Sequence, residues 1–183
     1  MEIKIGSKEM LKVLYIICWL LFIGVGIEAG GFIFNAIFTF ALEPEAGFFW
    51  KEIDLSSLYK YDPGYFVIMI SVMIIVSVMR AIMFYLIIRI LHNKKLSISQ
   101  PFNKEMQRFI SGLSYLALGV GLFSHCGVNY SEWLVKQGVE MPDILYLRLG
   151  GEDVWIFMGI ILLIIAQIFK RGIEIQSEND LTI

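Results

Sequence analysis

Residues 64–91 read GYFVIMISVMIIVSVMRAIMFYLIIRIL, an apolar run in which Arg80 and Arg89 are the only charged residues. About 20 apolar residues let a helix cross the hydrocarbon core of a bilayer, so the run is long enough to span a membrane. It does not alternate apolar and polar residues, as a strand of an outer-membrane barrel does. A helix satisfies its own backbone hydrogen bonds, which lipid cannot do. The run therefore predicts a membrane-spanning helix.

Three further apolar runs lie at residues 13–42, 109–128 and 154–169. The chain of 183 residues is 57% hydrophobic and 17% charged, with a net charge of −2, whereas a soluble domain carries about 25% charged residues. This composition excludes a disordered chain, and it argues against direct binding to nucleic acid. We predict an all-α integral membrane protein in which residues 1–183 form a single bundle of four transmembrane helices.

The first run follows the basic residues Lys4, Lys8 and Lys12, a start that is also typical of a secretory signal peptide. However, the run is about twice as long as the apolar region of a signal peptide, and no small-residue cleavage site follows it. We therefore expect it to be retained as the first span.

The distribution of Lys and Arg in the short loops predicts the orientation of the spans. Ten basic residues fall at one end of the predicted bundle and four at the other. The ten are Lys4, Lys8, Lys12, Arg89, Lys94, Lys95, Lys104, Arg108, Lys170 and Arg171. Both termini, the loop at residues 92–108 and the tail at residues 170–183 are therefore predicted to lie in the cytoplasm.

The two outer loops, residues 43–63 and 129–153, carry weaker local signals. Ile144 to Leu149 is typical of a short strand, and a small sheet between the two loops is one arrangement that the pattern allows. Ser131 is placed to cap a short helical turn.

Two helix starts have clearer signals. Pro63-Gly64 is a turn signal that opens the second span. In the middle loop, Asn103 is a good N-cap for the third span, and Glu105 favours the positive end of that helix.

Glu28 and Arg80 are ionisable residues well inside the predicted spans, where a charge costs roughly 2.5–3.5 kcal/mol unless it is paired or solvated. Glu28 lies about 16 residues from the cytoplasmic end of its span and Arg80 about 12, a depth difference of roughly 6 Å. An Arg side chain covers that distance, so we predict a Glu28–Arg80 pair inside the bundle. The pair either forms a functional polar site or only fixes the two helices in register.

Small and polar residues surround this predicted pair. Ser77 and Asn35 share helix faces with Arg80 and Glu28 and extend the predicted polar site, although such residues also tie helices together without any chemistry. Gly26 and Gly30 form a G-x-x-x-G pattern, which favours close helix packing or marks an unwound helix that lines a site.

No catalytic motif is present, so we predict no catalytic residue, no metal site and no cofactor, and we expect a non-enzymatic protein. His125-Cys126 has residue types found in metal sites, but zinc needs three or four ligands. The other His and Cys, His92 and Cys18, lie at different depths in the predicted bundle.

Two segments resemble the bacterial DUF2975 family, a set of small four-helix membrane proteins of unknown function. They are PFNKEMQRF at residues 101–109 and the tail GIEIQSENDLTI at residues 172–183. The resemblance implies a multi-pass protein of the bacterial cytoplasmic (inner) membrane. Relatives are often encoded near a small helix-turn-helix regulator, which implies a cytoplasmic transcription factor as partner, by association rather than by mechanism. The resemblance brings no catalytic residues.

The tail is consistent with such a partner. Glu174, Glu178 and Asp180 form an acidic strip beside apolar residues such as Leu181, a segment suited to a basic protein surface. The alternative is a solvated tail that continues the fourth helix.

Three functions follow from these features. The first is a non-enzymatic sensor or regulator that signals to a cytoplasmic helix-turn-helix factor. The second is a small proton-coupled transporter, or a transporter subunit, that uses Glu28. The third, an intramembrane enzyme, lacks the clustered catalytic groups that it would need. The bilayer is a partner in each case, and a second copy of the chain is a further candidate partner.

Overall fold

The computed structural model describes residues 7–41, 53–92 and 102–180, and within these ranges it contains helices and no strand. The helices are α1 (Ser7–Ala41), α2 (Ser56–Tyr61), α3 (Pro63–His92), α4 (Lys104–Lys136) and α5 (Glu152–Asp180). Four of them, α1, α3, α4 and α5, are long and apolar enough to cross a membrane. The four predicted spans are therefore confirmed as helices, and they indicate a multi-pass membrane protein.

The starts of α3 and α4 agree with their sequence signals. The Asn103 side chain accepts a hydrogen bond from the Met106 N–H at 2.8 Å, which confirms it as the N-cap of α4. At the start of α3, the Asp62 carboxylate accepts bonds from the N–H groups of Gly64 and Tyr65. Pro63 begins the helix after this carboxylate, at the position where its missing N–H costs nothing.

The helix α4 extends well beyond the predicted third span. The prediction that Ser131 caps a separate turn is wrong, because Ser131 is buried inside α4. The helix ends at Lys136, and the positive φ of 87° at Gly138 lets the Val139 N–H bond back to the Leu134 carbonyl. A glycine just after the last turn is a common way to end a helix.

The predicted strand at residues 144–149 is also wrong. Asp143 bends this segment into consecutive turns, because its carboxylate accepts the Leu145 N–H and its carbonyl accepts the N–H groups of Tyr146 and Leu147. In the other outer loop the described part forms the short helix α2. Neither segment is extended, so the described residues form no sheet between the loops.

The long helices pack in the order α1, α3, α4, α5. Among the described residues, no Cα of α1 lies within 8 Å of α4 or α5. The Tyr15 hydroxyl of α1 lies 3.2 Å from Nδ1 of His92 at the end of α3, which sets the antiparallel register of these helices. This register places Glu28 of α1 at nearly the same depth as Arg80 of α3.

The closest helix approach is between α4 and α5. A Cβ on Gly159 would lie 2.9 Å from the Leu118 backbone N, and one on Gly121 would lie 2.9 Å from the Ile156 backbone N. The Ser114 hydroxyl donates to the Gly159 carbonyl across this contact at 2.8 Å. Small residues let the two backbones approach closely, as in other membrane helix pairs.

Within the described chain, Gly26 and Gly30 lie at no helix contact. A Cβ on either glycine would meet nothing within 4 Å. The two residues are exposed on α1, whose neighbour among the other described long helices is α3. In the most apolar window of α1, 6% of residues are buried, against 33% for α3 and for α4.

The buried core lies toward one end of the bundle, which we call the α2 end. It joins α2, the start of α3, the end of α4 and the loop at residues 137–151. Its fully buried members include Leu58, Phe66, Leu134, Leu147 and Leu149. We call the opposite end, where Lys12, Arg89, Arg108 and Lys170 lie, the basic end. The core holds the α4–α5 loop against the helices, and this loop supplies part of the candidate site.

Candidate functional site

Glu28 forms an ion pair with Arg148, a residue of the α4–α5 loop. The Glu28 Oε2 atom lies 3.3 Å from Arg148 Nε, and the two side chains are 22% and 58% exposed. The predicted direct pair with Arg80 is therefore replaced by a pair with a residue from a distant part of the chain. This contact joins α1 to the loop that leads into α5.

The local fold of the loop directs Arg148 toward α1. Leu147 and Leu149, on either side of it, are fully buried in the core. Arg148 itself has a positive φ of 59°, a conformation that non-glycine residues seldom adopt. With both neighbours anchored, its side chain lies outside the core and meets Glu28. Backbone strain of this kind is often found at functional sites.

Arg80 lies between Glu28 and α5. Its Cζ is 5.4 Å from the ring centroid of Trp155, in the first turns of α5, which is a cation–π distance. The charges acting on Arg80 are those of Glu28, which attracts it, and Arg148, which repels it. Its Nε is buried and has no hydrogen-bond partner among the described residues. Glu28, Arg80 and Arg148 thus form a charged cluster with one acid and two bases.

Ser77 and Asn35, the other two polar residues of the predicted site, are near the cluster residues in sequence. In the structure each takes part in hydrogen bonds within its own helix. The buried Ser77 hydroxyl donates to the carbonyls of Met73 and Ile74. Asn35 is buried in α1, and its backbone carbonyl accepts the Thr39 hydroxyl at 2.8 Å. These bonds satisfy the Ser77 and Thr39 hydroxyls in an apolar setting, which is a usual role of such bonds in membrane helices.

A cavity of about 200 Å³ lies beside the Glu28–Arg148 pair. Its lining residues are Gly24, Ile27, Glu28, Phe32, Ile53, Tyr146 and Arg148. The cavity is smaller than the roughly 300–1,000 Å³ of most ligand pockets. It therefore suits a small molecule or one polar group of a larger one, next to a carboxylate and a guanidinium.

The predicted tail is a continuation of α5 through Asp180. Glu174 pairs with Arg171 at 3.0 Å, and Glu178 is exposed. The Asp180 side chain and Leu181 lie outside the described residues. The tail and the span that carries Trp155 therefore form one continuous helix.

The two residues that resembled a metal fragment sit at the surface. His125 Nε2 lies 3.0 Å from the Asn129 side-chain nitrogen, and Cys126 is a free, exposed thiol. Cys18 is also a free thiol. Over the part of the chain that the structure describes, no group of three His, Cys, Asp or Glu residues could hold a metal ion.

Sequence reasoning missed Arg148 and Trp155, the two residues that connect the cluster to α5. Arg148 is one of the four basic residues at the outer end of the predicted bundle, and no sequence signal singled out Trp155. An Arg between two leucines just before a helix was the available signal, but it does not specify a partner.

Comparison with known protein families gives a match to the family described as "Protein of unknown function (DUF2975)" over residues 50–183. The match confirms the resemblance inferred from the two sequence segments. It includes α2 to α5, and with them Arg80, Arg148 and Trp155, whereas Glu28 precedes it. No curated protein and no solved structure gave a match.

Proposed function

The chain belongs to the DUF2975 family of proteins of unknown function, and from the geometry of its charged cluster we propose that it is a non-enzymatic membrane sensor. A small ligand at the cavity beside Glu28 would change the position of α5 and of the tail that continues it. In this proposal the basic end faces the bacterial cytoplasm, with both termini inside, as the excess of Lys and Arg there favours.

One observation carries the proposal: the cluster is connected to α5 both through the loop that precedes it and through Trp155. Arg148 joins Glu28 to the loop that leads into α5, and Arg80 lies against Trp155 of that helix. A change at Glu28 would therefore alter both its contact with the α4–α5 loop and the electrostatic attraction that acts on Arg80. Signalling between distant sites requires an element with two states that both sites bias, and in this proposal α5 is that element.

The Glu28–Arg148 pair is weak enough to act as a switch. We propose that water reaches the pair, because more than half of the Arg148 side chain is not covered by protein, and an ion pair in water contributes about 0.2–1 kcal/mol. A ligand shifts an equilibrium by its differential affinity for the two states, so a modest ligand can open such a pair. Of the other long helices, α1 packs only on α3, so opening the pair removes a direct link between α1 and the α4–α5 loop.

The output is the helical tail. Residues 171–180 extend α5 by roughly 15 Å at 1.5 Å per residue, enough to present a surface beyond the membrane. Its acidic residues, with Leu181, suit a basic soluble partner, and a helix-turn-helix transcription factor has such a surface. A second copy of the chain is another candidate partner.

Proton-coupled transport by Glu28 is a second candidate, favoured by the cavity beside its carboxylate. Flux in proteoliposomes distinguishes the two functions. A transporter would lose proton-coupled uptake in Glu28→Gln, whereas a sensor would show no uptake in either protein.

The proposed function is tested by crosslinked co-purification from native membranes. The full chain, a chain truncated after Arg171, Arg148→Gln and the control Lys136→Gln are compared. We expect mass spectrometry to identify a helix-turn-helix protein with the full chain and the control, none with the truncation, and a changed amount with Arg148→Gln. Equal recovery by all four, or recovery by none, would refute the proposal.

A further inference from the structure

We infer that the basic end carries a binding site for the headgroup of an anionic phospholipid, in a cavity between α3 and α4. The cavity has a volume of about 370 Å³ and shares no lining residue with the cavity beside Glu28. Its lining residues are Leu86, Arg89, Ile90, Glu105, Arg108, Phe109 and Gly112.

Two arginines supply the recognition of a phosphate. Arg89 lies in the last turn of α3 and Arg108 in the second turn of α4, and both side chains are exposed. Neither guanidinium has an ion-pair partner among the described residues. Glu105 also lines the cavity, so the three charged lining residues have a formal net charge of +1. Guanidinium groups bind phosphate oxygens in a bidentate manner, which favours a phosphate diester here.

The apolar walls indicate a lipid rather than a free phosphate. Leu86, Ile90 and Phe109 line the cavity beside the arginines. Gly112 also lines the cavity, and a Cβ there would make an ordinary van der Waals contact with Leu86 Cδ1, at 3.7 Å. A headgroup at the arginines would thus have its acyl chains along an apolar surface.

The position along the bundle supports the same ligand. Lys104 begins α4, and α3 ends at His92, so the cavity lies at the boundary between basic helix ends and apolar spans. Basic pockets between membrane helices at this depth are suited to anionic headgroups. Zwitterionic lipids lack the net negative charge that would match the two arginines.

Native mass spectrometry of the full chain tests the site. The protein is purified in mixed micelles that contain phosphatidylglycerol and phosphatidylcholine in equal amounts. We expect wild type to retain phosphatidylglycerol preferentially. Arg89→Gln/Arg108→Gln should weaken this binding roughly 30-fold, which corresponds to about 1 kcal/mol for each basic group.

A matched control removes two charges from the same end but outside the cavity. Lys12→Gln/Lys170→Gln should keep the lipid preference, and Gly112→Leu, which fills the cavity, should lose it while retaining both arginines. Equal loss in the control, or no loss in both cavity variants, would overturn the inference. A competition experiment adds soluble glycerol 3-phosphate at the same concentration as phosphatidylglycerol. If it displaces the bound lipid, the site recognises the phosphate group alone and the lipid assignment is wrong.

Discussion

The clearest prediction concerns the order in which the charged cluster tolerates substitutions. Glu28 faces attraction from both Arg148, at 3.3 Å, and Arg80. Arg148→Gln leaves Glu28 with Arg80 as a counter-charge. Glu28→Gln instead leaves two guanidinium groups with no acid between them. We therefore expect Glu28→Gln to destabilise the protein more than Arg148→Gln, although each change removes one charge from the same ion pair.

The magnitude follows from the exposure of the groups. With water at the 58% of the Arg148 side chain that protein does not cover, its pair with Glu28 should be worth about 0.2–1 kcal/mol. Loss of Arg148 should lower the free energy of unfolding by that amount. Loss of Glu28 removes two attractions and should lower the free energy of unfolding about twice as much, by roughly 0.4–2 kcal/mol. The double variant measures the coupling between the two side chains directly.

The assay is thermal unfolding in one mild detergent at constant salt, followed by near-ultraviolet circular dichroism. A loss of 1 kcal/mol should lower Tm by about 2–4 °C for a chain of this size. High salt should reduce the Arg148→Gln effect, because exposed pairs are screened. A larger loss for Arg148→Gln than for Glu28→Gln would refute the reasoning, since Arg80 would then not respond to the Glu28 charge. Zero coupling in the double variant would refute the ion pair itself.

Three further predictions concern helix packing and orientation. Gly159→Ala should destabilise the protein by about 1–3 kcal/mol, because the new Cβ would meet the Leu118 backbone. The control Gly26→Ala should be neutral or stabilising, and equal Tm values for the two variants would contradict the described packing of α4 and α5. Ser114→Ala should cost about 0.6 kcal/mol, the average for a hydrogen bond between membrane helices, and an unchanged Tm would show that its bond to Gly159 contributes nothing. In a background without Cys18 and Cys126, an impermeant maleimide should label Glu140→Cys on intact cells and Ser177→Cys only after permeabilisation; the reverse pattern would invert the proposed orientation.

The sequence by itself determined the four spans and two of their starts. Span positions depend on the length and hydropathy of local runs, as at residues 64–91, and helix starts depend on residues within one turn, as at Asn103. Counting residues along two predicted helices also brought Glu28 and Arg80 to similar depths, and both residues belong to the charged cluster. These features are local, so no knowledge of the neighbouring helices was needed.

Only the tertiary structure decided which residues complete the site. Arg148 reaches Glu28 because Leu147 and Leu149 are buried against residues distant in the sequence, and Trp155 meets Arg80 through the α4–α5 packing. The sequence also did not indicate that Gly121 and Gly159 lie at a helix contact. A span that is apolar on every side does not reveal which face meets another helix. Partner choice depends on the relative positions of separate segments, and in lipid the hydrophobic effect does not distinguish a helix neighbour from an acyl chain.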